Sequence, residues 1–237
     1  MTNIEYLKKY YGGNIEEAIE RLNKGEPVQY IVGNVDFYNY NFIVNKNVLI
    51  PRFETEELVS NTIKYVKKYF NKRVDILDIG TGSGAIAISL ARELDSKVIA
   101  TDISKEALDV ARINAERNNT KVDFVNTNIY DGIDKKFDIV ISNPPYISLN
   151  EEIEDIVRNN EPNIALFAEN NGLYYYEEIL KNIKSILKEK YLIAFEIGMN
   201  QYKDIEEIIK KYLKEARIVL KKDMQKRDRM IFIHNFE

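Results

Sequence analysis

The stretch Val74-Asp-Ile-Leu-Asp-Ile-Gly-Thr-Gly-Ser-Gly-Ala85 decides the fold. Residues 74–79 form an apolar run of strand length, Gly80-Thr81-Gly82-Ser83-Gly84 follows, and a helix-forming run starts at Ala85. A strand, a glycine-rich turn and a helix in that order predict a βα unit in which a ligand can approach the backbone closely and meet the free amide groups of the helix. Downstream, strands are predicted at 97–101, 122–125, 137–142, 191–196, 217–220 and 230–234, and helices at 104–118, 173–187 and 200–213. Residues 147–172 read as irregular. Strands separated by helices require crossover connections, so the expectation is an α/β fold with a mostly parallel, seven-stranded sheet covered on both faces.

Upstream, residues 1–34 read as helical, with Asn14 capping a helix that carries Ile15, Ala18, Ile19 and Leu22 on one face and Glu16 and Glu17 in its first turn. Asp36-Phe37-Tyr38 and Phe42-Ile43-Val44 flank Asn39-Tyr40-Asn41, which predicts a β-hairpin turning at 39–41. An acidic helix start follows Pro51, and Val59, Ile63, Val66 and Phe70 mark its buried face. The division expected is a short helical segment (1–34), a hairpin linker (35–50) and the main α/β domain (51–237).

The composition excludes several chemistries. Among 237 residues there is no cysteine and a single histidine, His234, so thiol nucleophiles, cysteine metal sites and histidine triads fall away, and His234 reads as structural. The longest charge-free run, residues 79–91, falls short of the about 20 residues that a membrane-spanning helix needs. Glu5 stands where a signal peptide would be apolar, which makes the plain reading a cytoplasmic protein. A net charge of −4 argues against a large nonspecific grip on nucleic acid. The basic cluster 221–229 reads as a solvated loop.

Asp102 closes the second strand about 22 residues after Gly80, where a carboxylate can accept hydrogen bonds from ribose hydroxyls. Glycine loop and carboxylate together describe a cofactor containing a nucleoside; at this point both NAD and S-adenosylmethionine fit. Ser142-Asn143-Pro144-Pro145-Tyr146 at the end of the fourth strand chooses between them. Each proline restricts the residue before it and has no N–H, so strand-end carbonyls and the Asn143 amide oxygen form fixed acceptors. Two fixed acceptors suit a planar –NH₂ group, and gripping both hydrogens aligns its nitrogen with an activated methyl. Tyr146 can lay its ring against that group.

Gly80–Gly84, Asp102 and Asn143–Tyr146 resemble the class I S-adenosylmethionine-dependent methyltransferases that modify planar nitrogens. Five further pieces resemble one family among them, the release-factor glutamine methyltransferases of the HemK/PrmC type: residues 27–33, Leu49-Ile-Pro-Arg-Phe-Glu-Thr-Glu56, Glu161-Pro-Asn-Ile-Ala-Leu166, Glu196-Ile-Gly198 with Gln201, and residues 222–229. The resemblance implies a Rossmann-like fold, S-adenosyl-L-methionine as cofactor with S-adenosyl-L-homocysteine as product, and N5-methylation of the glutamine in the Gly-Gly-Gln motif of class I peptide-chain release factors. It places Gly80, Thr81, Gly82, Ser83 and Gly84 along the methionine part of the cofactor, Asp102 on its ribose, and Asn128 and Ile129 beside the adenine. Asn143, Pro144, Pro145 and Tyr146 would grip the glutamine, with Asn143 also near the cofactor. Arg52 and Glu54 shape the entrance or form an ion pair at the helix start.

The chain departs from the family's pattern at Asn128, usually Asp, at Ile129, often a large aromatic, and in the brevity of its N-terminal helical part. A monomer without membrane contact, metal or stable nucleic-acid binding is expected. The alternatives are an adenine-N6 methyltransferase acting on DNA or RNA and, from another class, an NAD-dependent or non-catalytic nucleotide-binding protein.

Overall fold

The computed structural model describes residues 2–237. Three helices come first, α1 (Asn3–Tyr10), α2 (Ile15–Asn23) and α3 (Val28–Val32). Asn14 caps α2 as expected, its side chain accepting from the Glu16 N–H at 3.0 Å. Leu7, Ala18, Val28 and Ile31 bury a small apolar cluster among these helices. The hairpin β1 (Asn34–Phe37) and β2 (Tyr40–Ile43) follows. It turns at Tyr38-Asn39 rather than at 39–41: both residues have positive φ (50° and 64°), the conformation of a two-residue turn whose twist matches the strands. Phe37 and Phe42 lie in the main core, so the hairpin packs against the body built on the large sheet.

Then come α4 (Phe53–Tyr69), β3 (Val74–Ile79), α5 (Ala85–Glu93), β4 (Ser96–Asp102), α6 (Lys105–Arg117), β5 (Asp123–Asn126) and β6 (Phe137–Ser142), all close to expectation. Ser104 caps α6 by accepting from the Ala107 N–H. The segment after β6 is not irregular throughout. It holds β7 (Ile147–Ser148), α7 (Asp155–Asn160), β8 (Phe167–Ala168), parallel to β7, and the single turn α8 (Glu169–Gly172), in which Asn170 and Asn171 are left-handed. The helix expected to reach residue 187 stops at Lys181 in α9 (Tyr174–Lys181); a 3-10 turn (Ile183–Ser185) follows, and β9 (Leu187–Glu196) starts four residues earlier than expected. Its polar start, Lys188-Glu189-Lys190, is accommodated by a register shift against β6 between the pairs Phe137↔Leu187 and Ile139↔Leu192. The chain ends with α10 (Tyr202–Tyr212), β10 (Arg217–Lys222) and β11 (Asp228–His234).

The seven-stranded sheet has the order β10-β11-β9-β6-β3-β4-β5, and only β11 runs against the others. Neighbouring strands β3 and β6 lead to connections on opposite sides, which makes their carboxyl ends the switch point where open α/β sheets bind ligands. Two apolar cores cover the faces, one containing Leu58, Ile76 and Leu90, the other Leu77, Phe195 and Ile205. His234 is structural as expected: it is buried, bonded through Nδ1 to the Phe236 carbonyl at 3.0 Å, and stacked on the Phe236 ring. No helix among the described residues is long and apolar enough to cross a membrane.

One fully buried side chain ties the hairpin to the glycine turn. Asn114 of α6 accepts from the Ile43 N–H at 2.6 Å and donates to the Ile43 and Ser83 carbonyls, each at 2.9 Å. Replacing it strands these backbone groups without partners. Asn114→Ala is expected to destabilise the protein by about 2–4 kcal/mol, read as a lower urea midpoint at unchanged slope; an unchanged midpoint would show that this brace carries no load.

Candidate active site

The site is built outward from the ends of β3, β4 and β6. Ile79 pairs with Thr101 on one side and Ser142 on the other, so Gly80, Asp102 and Asn143 emerge level with one another. The Gly80 and Thr81 N–H groups both donate to the Thr101 carbonyl, and Ser142 Oγ donates to the Ile79 carbonyl. A cavity opens here, lined by Gly80, Gly82, Asp102, Ile129, Asn143 and Pro144 among others. A Cβ built on Gly80 or Gly82, both at positive φ, meets no atom within 4 Å. That space is free for a ligand, and its largely apolar lining with a few polar groups suits a nucleoside cofactor.

Asp102 stands in the cavity wall, its carboxylate accepting from the Gly82 and Ser104 N–H groups at 2.9 Å each. Burial raises its pKa, opposed by those backbone donors. Asn128 and Ile129 line the same cavity. Ile129 is left-handed (φ 53°), a costly conformation for a β-branched residue, and Thr101 Oγ1 donates to its carbonyl at 2.5 Å. The remaining loop residues face elsewhere: Thr81 and Ser83 are buried, Thr81 donating to Asp78 at 2.6 Å, and Gly84 packs on Ala111.

Asn143 and Pro144 also line a second pocket, with Arg52, Tyr146, Val157 and Glu196. The two residues thus form the wall between the glycine-turn cavity and a neighbouring recess. Asn143 Nδ2 donates to Thr55 Oγ1 at 3.2 Å, and Thr55 Oγ1 donates to Glu196 Oε2 at 2.7 Å. Among the described residues nothing donates to Asn143 Oδ1. Tyr146 belongs to the second pocket alone; its hydroxyl lies 3.4 Å from Glu196 Oε1 and 3.5 Å from Arg229 Nη1, and its carbonyl accepts from Gln201 Nε2 at 2.8 Å. Gly172 packs against that carbonyl so tightly that a Cβ would lie 2.0 Å from the oxygen.

Arg52 does not pair with Glu54 at the helix start. It binds buried Glu161 at 2.5 Å, and Glu161 also accepts from the Ile50 N–H at 3.1 Å. Two pieces of sequence over a hundred residues apart are stapled by this carboxylate, and Leu49 and Ala165 beside it line both pockets. The 221–229 cluster is not simply a solvated loop either: Asp223 is buried, and Arg229 turns inward to the Ile197 carbonyl at 3.2 Å. Thr55, Glu161, Glu196 and Gln201 all stand inside the pieces that resemble the family. Their tasks were hidden because each acts through a partner distant in sequence.

A sheet of this order, with a glycine turn and an Asn-Pro-Pro-Tyr strand end meeting at its switch point, defines a Rossmann-like methyltransferase. Residues 53–160 match the family model described as "Methyltransferase small domain". The chain is 42% identical over 221 residues to the release factor glutamine methyltransferase of Bacillus subtilis, covering 90% of this chain and 77% of that one. It is 42% identical to the enzyme of the same name from Lactococcus lactis, covering 92% and 81%. The solved structure of a release factor-specific protein-(glutamine-N5) methyltransferase from Alicyclobacillus acidocaldarius superposes with a TM-score of 0.52 at 26% identity, covering 83% of this chain and all of that one. The chain belongs to the release factor glutamine methyltransferase family.

A second buried carboxylate sits under the glycine turn. Burial pushes Asp78 up to about 7, against the pull of the Thr81 hydroxyl. Unfolded, the group loses its proton near its ordinary 3.8. The folded state therefore holds an extra proton between those values, and stability falls as pH rises through the window. Asp78→Asn removes the titration, so the melting temperature of the variant relative to the parent should be higher at pH 8 than at pH 5. A difference independent of pH would contradict this.

Proposed function

We propose that this protein methylates the side-chain amide nitrogen of the glutamine in the Gly-Gly-Gln motif of class I peptide-chain release factors, using S-adenosyl-L-methionine and releasing S-adenosyl-L-homocysteine. The observation that carries the reading is the shared wall: Asn143 and Pro144 border both the cavity at the glycine turn and the recess beside it. The cofactor, when bound, supplies an activated methyl group. In this reading Gly80 and Gly82 border its methionine part, the Asp102 carboxylate accepts from its ribose hydroxyls, and Asn128 and Ile129 flank its adenine.

The protein's own contribution is orientation. A primary amide nitrogen is a weak nucleophile because its lone pair is delocalised into the carbonyl. Asn143 Oδ1 and a strand-end carbonyl accept its two hydrogens, and Tyr146 supports the planar group, so the lone pair is aimed across the wall. A carbon–nitrogen bond forms as the carbon–sulfur bond breaks, and the nitrogen then gives one proton to solvent. No strong base is needed beforehand, in keeping with a chain that has neither thiol nor a free imidazole.

Family membership favours glutamine over adenine as the acceptor. The short helical segment 1–34 would help dock the release factor and residues 51–237 carry out the chemistry, with 35–50 joining them. Asn160 supports this arrangement, since its Nδ2 donates to the Gly25 carbonyl at 2.8 Å and ties the helices to the wall of the site. We read the enzyme as a cytoplasmic monomer. With methyl-labelled cofactor and either a release factor or adenine-containing nucleic acid, mass spectrometry should place the label on the Gly-Gly-Gln glutamine. Asn143→Ala should lower turnover at least about 100-fold, the scale of losing a preorganised polar group at a reacting centre. Label on adenine and none on glutamine would contradict the reading, as would normal turnover by the variant.

A further inference from the structure

Glu196 is a carboxylate, 1% exposed, that methyl transfer as described leaves without a task. It closes β9 behind the wall of the site. Thr55 and Glu54 of α4, Tyr146 beyond β6, Tyr176 of α9 and Arg229 of β11 are the titratable or polar groups around it. A proton count along the chain of contacts gives its role. A carboxylate accepts and cannot donate, so Thr55 spends its single hydroxyl proton on Glu196 Oε2. What Thr55 then offers Asn143 is a lone pair. Asn143 must meet it with Nδ2, and Oδ1 is left free.

We propose that Glu196 and Thr55 are positioning residues: their hydrogen-bond direction fixes which end of the Asn143 amide faces the substrate. An amide turned by 180° has nearly the same shape but exchanges acceptor for donor. Turned, Asn143 would set an –NH₂ against the substrate's –NH₂, and the grip on the glutamine nitrogen would be lost. Specificity for a nitrogen bearing two hydrogens is thereby set by the residues that orient Asn143. This inference rests on the glutamine-methylation reading above and adds to it the source of the amide's orientation.

The same geometry implies a dependence on pH. Burial pushes Glu196 up to about 7, while the Thr55 hydroxyl and the charge of Arg229 pull it down and Glu54 raises it. Once protonated, the carboxyl group can donate to Thr55, whose own proton then turns toward Asn143, and the direction of the relay reverses. Turnover should decline as pH falls through that value.

The test measures kcat/KM for a release factor, and Kd for the cofactor, in the parent protein, Thr55→Val, Thr55→Ser and Glu196→Gln across about pH 6 to 9. Thr55→Val should lose about tenfold in kcat/KM, equivalent to one hydrogen bond, with cofactor Kd within about twofold of the parent. Thr55→Ser, which keeps the hydroxyl, should recover most of the loss. Glu196→Gln should show a flat profile where the parent declines. Thr55→Val with kcat/KM within about twofold of the parent, failure of Thr55→Ser to recover, or an acid decline that persists in Glu196→Gln would each overturn the proposal. Cofactor affinity reports folding of every variant. Failure of the parent itself to methylate glutamine would overturn the functional reading instead, and is seen before any variant is compared.

Discussion

The site depends on one row of the sheet, in which Ile79 lies between Thr101 and Ser142. Because side chains alternate along a strand, a slip of one residue in either pairing would turn Asp102 or Asn143 to the opposite face. The row is secured from both sides. Two backbone amides of the glycine turn close on the Thr101 carbonyl, and the Ser142 hydroxyl closes on the Ile79 carbonyl. With those strand ends level, a crevice between a glycine turn and a proline-locked strand end follows from the topology.

Beyond the sheet, the walls are held by buried polar side chains that each join distant segments. Glu161 staples the approach to α4 to the segment before β8, Gln201 holds the Tyr146 carbonyl, and Asn114 anchors the hairpin to the glycine turn. A network whose members are satisfied specifies one arrangement, because any alternative leaves a buried group unpaired. The glycine at 172 exists for the same reason: the Tyr146 carbonyl occupies the space a side chain would need.

The elements with a clean local pattern were legible in the sequence. β3 and β6 match residue for residue and α5 starts where expected, because apolar runs bounded by glycine, proline or charge leave little choice of end. The start of β9 was not: Lys188-Glu189-Lys190 continues the polar rhythm of a helix, and only the pairing with β6 and the ion pairs of Lys188 with Asp75 and Asp138 make it a strand. The segment after Tyr146 has no periodicity, and its short strands exist only through each other. In the site, Gly80, Gly82, Asp102, Asn128, Ile129, Asn143, Pro144 and Pro145 line one cavity. Arg52 with Glu161, and Asn143 with Thr55 and Glu196, are tertiary pairings that no spacing reveals.

The account's central claim is that an amide oxygen, fixed in direction, receives the substrate nitrogen. It is tested most directly by a high-resolution structure of the protein with S-adenosyl-L-homocysteine and a Gly-Gly-Gln peptide. The account predicts the glutamine nitrogen within hydrogen-bond distance of Asn143 Oδ1, with Nδ2 still on Thr55. A complex in which Asn143 turns Nδ2 toward the glutamine, or in which the glutamine lies away from the Asn143–Pro144 wall, would contradict it.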